Sequence, residues 1–365
     1  MRLQLIIFIS IALLIYFGLH TLLFFLLTKF FSPKTRAAQF GLALLLFLLA
    51  LSFITAFIWT QFSTHRFLHG FYYGSAVWLG TMVNLLLIFG AGLLVLTILQ
   101  WFPLEIDRKT FGAFLLGMTV LYTTYGLYHA GQLKTKFLSV PIKNAPEEWR
   151  GRKIAHVSDV HLGIINGEGL SQKIAAIITA QKVDFVFITG DLFDGTGDDL
   201  SKAIKPFDRI MAPIYYITGN HETYLGIDKA LAAIKKTKIR VLRDEIVNLG
   251  GVQLIGIDYP QRGWKKDIRP VLEKIDRTKP AILLYHEPAQ IETARRYQVS
   301  LQLAGHTHNG QMWPMKIFVS LLYKGFDYGL HQLGDYAIYI TSGAGTWGPP
   351  MRIGSTAEVA IITLQ

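Results

Sequence analysis

Five short clusters of residues able to bind a metal cation recur between Ser158 and Gly310. They are Ser158-Asp159-Val160-His161, Gly190-Asp191-Leu192-Phe193-Asp194, Gly219-Asn220-His221-Glu222, Tyr285-His286-Glu287-Pro288 and Gly305-His306-Thr307-His308. Carboxylate, imidazole and amide suit manganese, iron or zinc, and a chain without Cys offers no thiolate in their place. Two such cations about 3.5–4 Å apart clamp a phosphoryl group, make hydroxide available at neutral pH and stabilise attacking and leaving oxygens together. That is the chemistry to which the clusters point.

Such a site needs convergence, and the surrounding pattern supplies it. Each cluster follows a run rich in β-branched and aliphatic residues, at 153–157, 184–189, 213–218, 281–284 and 299–304. Each therefore sits past the C-terminal end of an expected strand, the edge where open α/β sheets build their sites. Helical spacing over 169–181, 198–210, 227–237, 266–277 and 291–297 gives βα units between the strands. Runs 240–247 and 252–258 flank Gly250-Gly251, the signal of a tight hairpin. A first strand is expected at 137–142 and closing strands at 336–341 and 357–363.

In order, the clusters read D-x-H, G-D-x-x-D, G-N-H-[DE], H and G-H-x-H, a pattern that resembles the calcineurin-like metallophosphoesterases, in particular a membrane-anchored bacterial branch. The resemblance covers the chain from about Lys153 to its end. It implies an α/β domain of four layers, α/β/β/α, with two facing mixed sheets and a metal site at one edge. Carried over position by position, it implies Asp159, His161 and His308 on one cation, Asp191 bridging, and Asn220, His286 and His306 completing the second. It further implies that His221 contacts the phosphoryl group and helps protonate the leaving oxygen, with Asp194 holding its imidazole. Two divalent cations follow, Mn2+ first, with Fe2+ or Zn2+ as alternatives.

Composition adds a membrane. Hydrophobic residues make up 51% of 365 and the mean hydropathy is +0.35, too apolar for a purely soluble chain. Four stretches, 3–27, 40–62, 75–102 and 111–131, approach or exceed the ~20 residues that span a bilayer. The first is an uncleaved anchor by its length and lack of a small-x-small cleavage pattern. The fourth carries Thr119, Tyr122, Thr123, Thr124, Tyr125 and Tyr128, so an interfacial or bundle-buried helix is the alternative there. The chain then divides into a transmembrane region, 1–133, and a phosphoesterase domain, 134–365. His65 and His69, between the second and third stretches, read as parts of a wet turn at the membrane surface.

The net charge of +11 forms no clustered stripe of the kind nucleic acid requires, and fits anionic headgroups better. Four cations on one side of the spans, Arg2, Arg66, Lys134 and Lys136, face five on the other, Lys29, Lys34, Arg36, Arg108 and Lys109, which sets no orientation. Lys143, Arg150, Arg152 and Lys153 favour a cytoplasmic catalytic domain on the inner membrane.

Three segments bear on substrate. Residues 311–330 are dense in Trp, Phe, Met, Leu and Tyr, and form either core packing or an apolar lip for acyl chains. Residues 259–266 hold three cations and a Trp, and either grip a distal phosphate or are a solvated loop. In the Gly-rich 342–352, Arg352 is a candidate phosphate contact, with a surface ion pair as the alternative. The lineage resembled includes enzymes that cleave UDP-2,3-diacylglucosamine in lipid A synthesis. The expected partners are thus the lipid bilayer and a lipid or lipid-linked phosphate. A nucleotide phosphodiester, or a scaffold that binds metal without turnover, stands as the alternative.

Overall fold

A computed structural model of the chain describes residues 2–60, 62–63, 65–195, 199–260 and 266–365. The chain forms two compact units, Met1–Tyr128 with Gly348–Met351, and His129–Trp347 with Arg352–Gln365.

The first unit holds α1 (Arg2–Phe31), α2 (Arg36–Thr60), α3 (Arg66–Leu99) and α4 (Arg108–Ala130). All four, the polar fourth included, are long and apolar enough to cross a membrane. At 1.5 Å per residue α3 reaches about 51 Å, against a hydrocarbon core of about 30 Å, so it tilts or projects beyond the core. Phe30 and Phe89 meet edge to face at 5.2 Å inside this unit. A Cβ on Gly92 would lie 2.3 Å from Leu115 Cδ1, the small-residue contact by which membrane helices approach closely. His65 is the N-cap of α3, its Nδ1 accepting from Phe67 N–H at 3.2 Å, while His69, expected in the turn, lies inside α3 because the helix starts at Arg66.

The second unit contains two six-stranded sheets. The first runs β1 (Lys134–Val140), β12 (Glu358–Leu364), β2 (Lys153–Val157), β3 (Phe185–Thr189), β4 (Ile214–Ile217), β5 (Arg240–Val241). The second runs β10 (Gly329–Leu333), β11 (Tyr336–Ile340), β9 (Leu301–Ala304), β8 (Ala281–Leu284), β7 (Val252–Gly256), β6 (Glu245–Leu249). Both are mixed: β12 is antiparallel to β2 in one, and β6–β7 and β10–β11 are antiparallel in the other. Ile154, Phe187 and Ile217 of the first sheet share a buried core with Leu254, Leu284 and Leu303 of the second. Helices α5 (Glu168–Gln181), α6 (Leu200–Ile204) and α8 (Ile227–Ile234) cover the outer face of the first sheet. Helices α9 (Arg269–Leu272) and α10 (Ile291–Arg296) cover that of the second, which completes four layers. Two more, α7 (Asn220–Leu225) and α11 (Met315–Leu322), flank the metal-ligand loops.

Register brings the clusters together. Val157 pairs with Ile188, and Thr189 with Ile217, so the loops after β2, β3 and β4 leave the sheet side by side. Leu284 pairs with Gly256 and with Leu303, which does the same for the second sheet.

Some local expectations differ from the structure. The run 240–247 is broken at Asp244, whose φ of 55° ends a strand. Its first two residues join β4, and only the remainder forms the hairpin with β7. The 266–277 helix shrinks to α9, with Pro270 in its first turn, and further on Asp276 is held by Gln253, which donates to its carbonyl and accepts from its N–H, both at 2.8 Å. The 198–210 helix is split into α6 and a 3-10 turn, Lys205–Arg209, that contains Pro206. Residue 198 itself lies outside the described residues. The first strand starts earlier than 137, at Lys134, because β1 pairs along its whole length with β12.

Candidate metal centre

Beyond β2 and β3 the ladder continues into the loops: Asp159 N–H donates to Gly190 O at 3.1 Å and His161 N–H to Asp191 O at 3.0 Å. Here the backbone leaves ordinary geometry. Asp159, His161, Asp191, His306 and His308 have φ of 52°, 51°, 48°, 72° and 51°. Asp and His tolerate this left-handed region better than most side chains, yet each instance costs about 1–3 kcal/mol. Strain of this kind persists where the surroundings over-determine it, and it clusters at functional sites. Two glycines allow the close approach: a Cβ on Gly219 would lie 2.2 Å from Asp191 Oδ1, and one on Gly305 would lie 2.1 Å from Asp159 Oδ2.

The side chains form two groups. In one, His161 Nε2 and His308 Nε2 are 3.0 Å apart, and His308 Nε2 is 3.5 Å from Asp159 Oδ1. In the other, Asn220 Oδ1 lies 3.0 Å from His286 Nε2 and 2.9 Å from His306 Nδ1, with 3.1 Å between the two nitrogens. Asp191 stands between them: its Oδ2 is 3.2 Å from His286 Nε2 and 3.9 Å from His161 Nε2. Its Oδ1 accepts from His221 N–H at 2.9 Å. Donors placed about 2.0–2.2 Å from a common cation sit roughly 2.8–3.6 Å from one another. The separations within each group match that spacing, the 3.9 Å from Asp191 to His161 being slightly longer, so the residues fit a pair of divalent cations.

Main-chain carbonyls fix the rings. His286 Nδ1–H donates to Thr189 O at 2.7 Å, which leaves Nε2 as the ligand atom. His221 Nδ1–H donates to Asp194 O at 3.1 Å, which leaves its Nε2 free of the ligand groups. The Asp194 carboxylate is 3.8 Å from His221 Nδ1 and 3.6 Å from His161 Nδ1, so it lies between two imidazoles. The hydrogen bond expected from that carboxylate to His221 is thus made by the peptide carbonyl of the same residue.

Electrostatics follow from burial. Desolvation opposes the charge on Asp191, but His286 and His221 outweigh it and hold the carboxyl well below its ordinary value. Burial likewise opposes the charge on His286, and the Asp191 carboxylate overcomes it, lifting the pKa to about 10. Burial, then the charge on His286, push His306 down to about 3. Burial lowers His221 and raises Asp159.

Two residues hold roles that the sequence did not reveal. Glu222 is fully buried. Its Oε2 accepts from Asp191 N–H at 3.0 Å and Gly219 N–H at 2.7 Å, and its Oε1 from Phe193 N–H at 3.0 Å. Burial and the nearby Asp191 charge raise it to about 7. The available signal was its place three residues after Gly219, where an acid reaches back over a helix start. Arg352, expected at a phosphate or in a surface ion pair, is also fully buried. Its Nη2 donates to Ser342 O, Gly343 O and Gly345 O at 2.7, 3.1 and 2.6 Å, and its Nη1 to Ser355 Oγ at 3.2 Å. It gathers the Gly-rich loop from beneath.

The mouth of the site is aromatic. The exposed rings of Tyr224 and Trp347 lie 5.2 and 5.8 Å from that of His221, and Tyr323 lies 6.2 Å from His306. Of the cationic loop 259–266, residues 261–265 lie outside the described residues, and Lys266 Nζ is paired with Asp244 Oδ2 at 2.6 Å.

The family model described as "Calcineurin-like phosphoesterase" matches residues 152–310. An "Uncharacterized metallophosphoesterase" of Aquifex aeolicus is 33% identical over 223 residues, covering 58% of this chain and 85% of that protein. One of the same name from Helicobacter pylori (strain J99) is 34% identical over 220 residues, covering 58% and 59%. A "Transmembrane protein with metallophosphoesterase domain" of Danio rerio is 31% identical over 271 residues, covering 68% and 61%. The chain thus spans about six tenths of the length of the last two, 59% and 61%.

Proposed function

Because the chain belongs to the calcineurin-like phosphoesterase family, we propose that it is a membrane-anchored phosphohydrolase with a dinuclear metal site. Its substrate is a phosphoester or pyrophosphate of a lipid or lipid-linked nucleotide, UDP-2,3-diacylglucosamine being one candidate. Mn2+ is the first candidate for the cations. The basic residues after the last apolar helix favour a catalytic unit on the cytoplasmic side of the inner membrane.

One observation carries the reading. Six donors gather around Asp191 in two groups at the spacing a cation pair requires, and His221 stands beside them with its Nδ1 turned to a carbonyl and its Nε2 outward. Asp159, His161 and His308 would hold one cation, Asn220, His286 and His306 the other, and Asp191 Oδ2 both. Bound there, the pair would neutralise phosphoryl charge and activate water at neutral pH. The protein supplies the rest. The Asp194 carbonyl accepts from His221 Nδ1–H and turns Nε2 outward, so Nε2 would give a proton to the leaving oxygen from the doubly protonated imidazolium. Burial excludes bulk water from the ligand groups, and the exposed Tyr224 and Trp347 flank the side on which a leaving group departs.

A scaffold that binds metal without turnover would have no need of an imidazole held in this way. The test is His221→Ala in the purified full chain, with metal content measured beside hydrolysis of bis(4-nitrophenyl) phosphate. Two metal equivalents should remain while turnover falls by roughly two orders of magnitude or more, the usual share of a general acid. Asp191→Asn should deplete both sites. Parental turnover in His221→Ala with full metal content would remove the catalytic role and favour the scaffold.

A further inference from the structure

Helix α11 presents its side chains in the reverse of the order that a water-facing surface requires. On 100° spacing Met315, Ile317, Phe318, Leu321 and Leu322 occupy one continuous arc, and all five are exposed, Leu321 and Leu322 by 72% and 73%. The half-buried positions, Val319, Ser320 and Tyr323, lie on the other arc. None of the eight helix residues is buried, so the helix itself is not core packing, although Met312 before it is buried and Phe326 after it packs against the core. Trp313, 48% exposed, extends the apolar surface past the helix start. Contiguous apolar exposure of this kind marks an interaction surface.

The same helix is fastened to the metal-ligand loop at both ends. A Cβ on Gly310 would lie 2.3 Å from Lys316 Cα, so the helix start rests directly on the turn that follows His308. At the other end Tyr323 packs its ring against His306. Anything that seats α11 therefore also positions the loop bearing two ligand histidines.

We propose that α11 and Trp313 insert into the surface of an anionic lipid bilayer. Three observations select that occupant. The chain already carries four helices of membrane-crossing length, and only residues 131–133 separate α4 from β1, at most ~15 Å of extended chain. Residues 309–326 contain Lys316 and Lys324 but no Asp or Glu, the charge that anionic headgroups favour. A short helix with an apolar arc, an adjacent Trp and flanking lysines has the composition of an interfacial element. This inference is independent of which phosphate compound the site cleaves.

The chain contains no Cys, so one introduced cysteine labels one place. Nitroxide labels at Leu321→Cys, Ile317→Cys and Met211→Cys would be placed in the full chain, reconstituted in vesicles of phosphatidylglycerol and phosphatidylcholine. Met211 is 91% exposed and serves as the aqueous reference. At positions 317 and 321, collisions with lipid-dissolved oxygen should exceed those with a water-soluble nickel chelate by at least threefold relative to 211. Adding Phe318→Glu with Leu322→Glu to the 317-labelled chain should return its label to water, since each charge resists transfer into lipid. Labels at 317 and 321 as open to the chelate as 211 would overturn the proposal. So would labels shielded from both reagents, which would assign the face to a second copy or another protein. Metal content and bis(4-nitrophenyl) phosphate hydrolysis of each labelled chain, measured separately, tell a failed surface from a failed site.

Discussion

The Glu222 carboxylate collects three backbone N–H groups from two loops, and those loops present Asp191 and Asn220. Glu222→Gln keeps the shape but turns an amide NH2 towards one or more of these donors. Each orphaned N–H costs about 1–3 kcal/mol, and loss of a support of this kind typically lowers metal affinity 10–100-fold. The expected outcome is a chain less stable by roughly 2–4 kcal/mol that retains less metal after dialysis. Chemical denaturation and elemental analysis check both, and parental values in each would make the contact ornamental. Candidate ligand residues such as Asp159 and His306 stood out because their side-chain types are scarce and their spacing is specific, and the structure gathers them. Glu222 and Arg352 were not, since sequence shows that an acid or a guanidinium is present but not which way it points. A buried Arg that serves carbonyls and an exposed Arg that serves phosphate are written identically.

Strand ends were the most legible elements, because aliphatic runs such as Ala281–Leu284 are short, fully buried and followed by a cluster. Helix lengths were less so. Gln253 holds Asp276 some twenty residues further along the chain, a contact that periodicity cannot register. Periodicity gave α11 its arc, but its orientation away from the core depends on how Gly310 meets Lys316. Gly310 has φ of 73° and no room for a Cβ, so Gly310→Ala combines backbone strain with displacement of the helix start. We expect a loss of about 2 kcal/mol or more in stability and at least a tenfold fall in hydrolysis, because His308 lies two residues away. Thermal melts together with steady-state rates on a small diester measure these. A variant that is destabilised yet fully active would show that α11 moves independently of the site.

At the scale of the whole molecule, composition announced a membrane and the clusters announced a metal centre. Orientation stayed open because the flanking cations nearly balance. The structure adds that each ligand group draws on both sheets. His308 of the second sheet joins Asp159 and His161 of the first, and His286 and His306 of the second join Asp191 and Asn220 of the first. Cations bound there would fasten the sandwich at one end and stabilise only the folded chain. At 100 times the dissociation constant, binding at one site adds about 2.7 kcal/mol. Chelation should therefore lower the melting temperature, and graded readdition of Mn2+ should restore it in a concentration-dependent way. A melting curve indifferent to chelator would mean that the sandwich closes without help from the centre.

The same division bears on how the metal is acquired during synthesis. His161 and His308 are 147 residues apart, and the portion of chain that ends before the second sheet offers Asp159, His161 and Asp191 towards one group but only Asp191 and Asn220 towards the other. A nascent chain could thus gather most of the first set early, whereas the second would gain both of its imidazoles, His286 and His306, only with the second sheet.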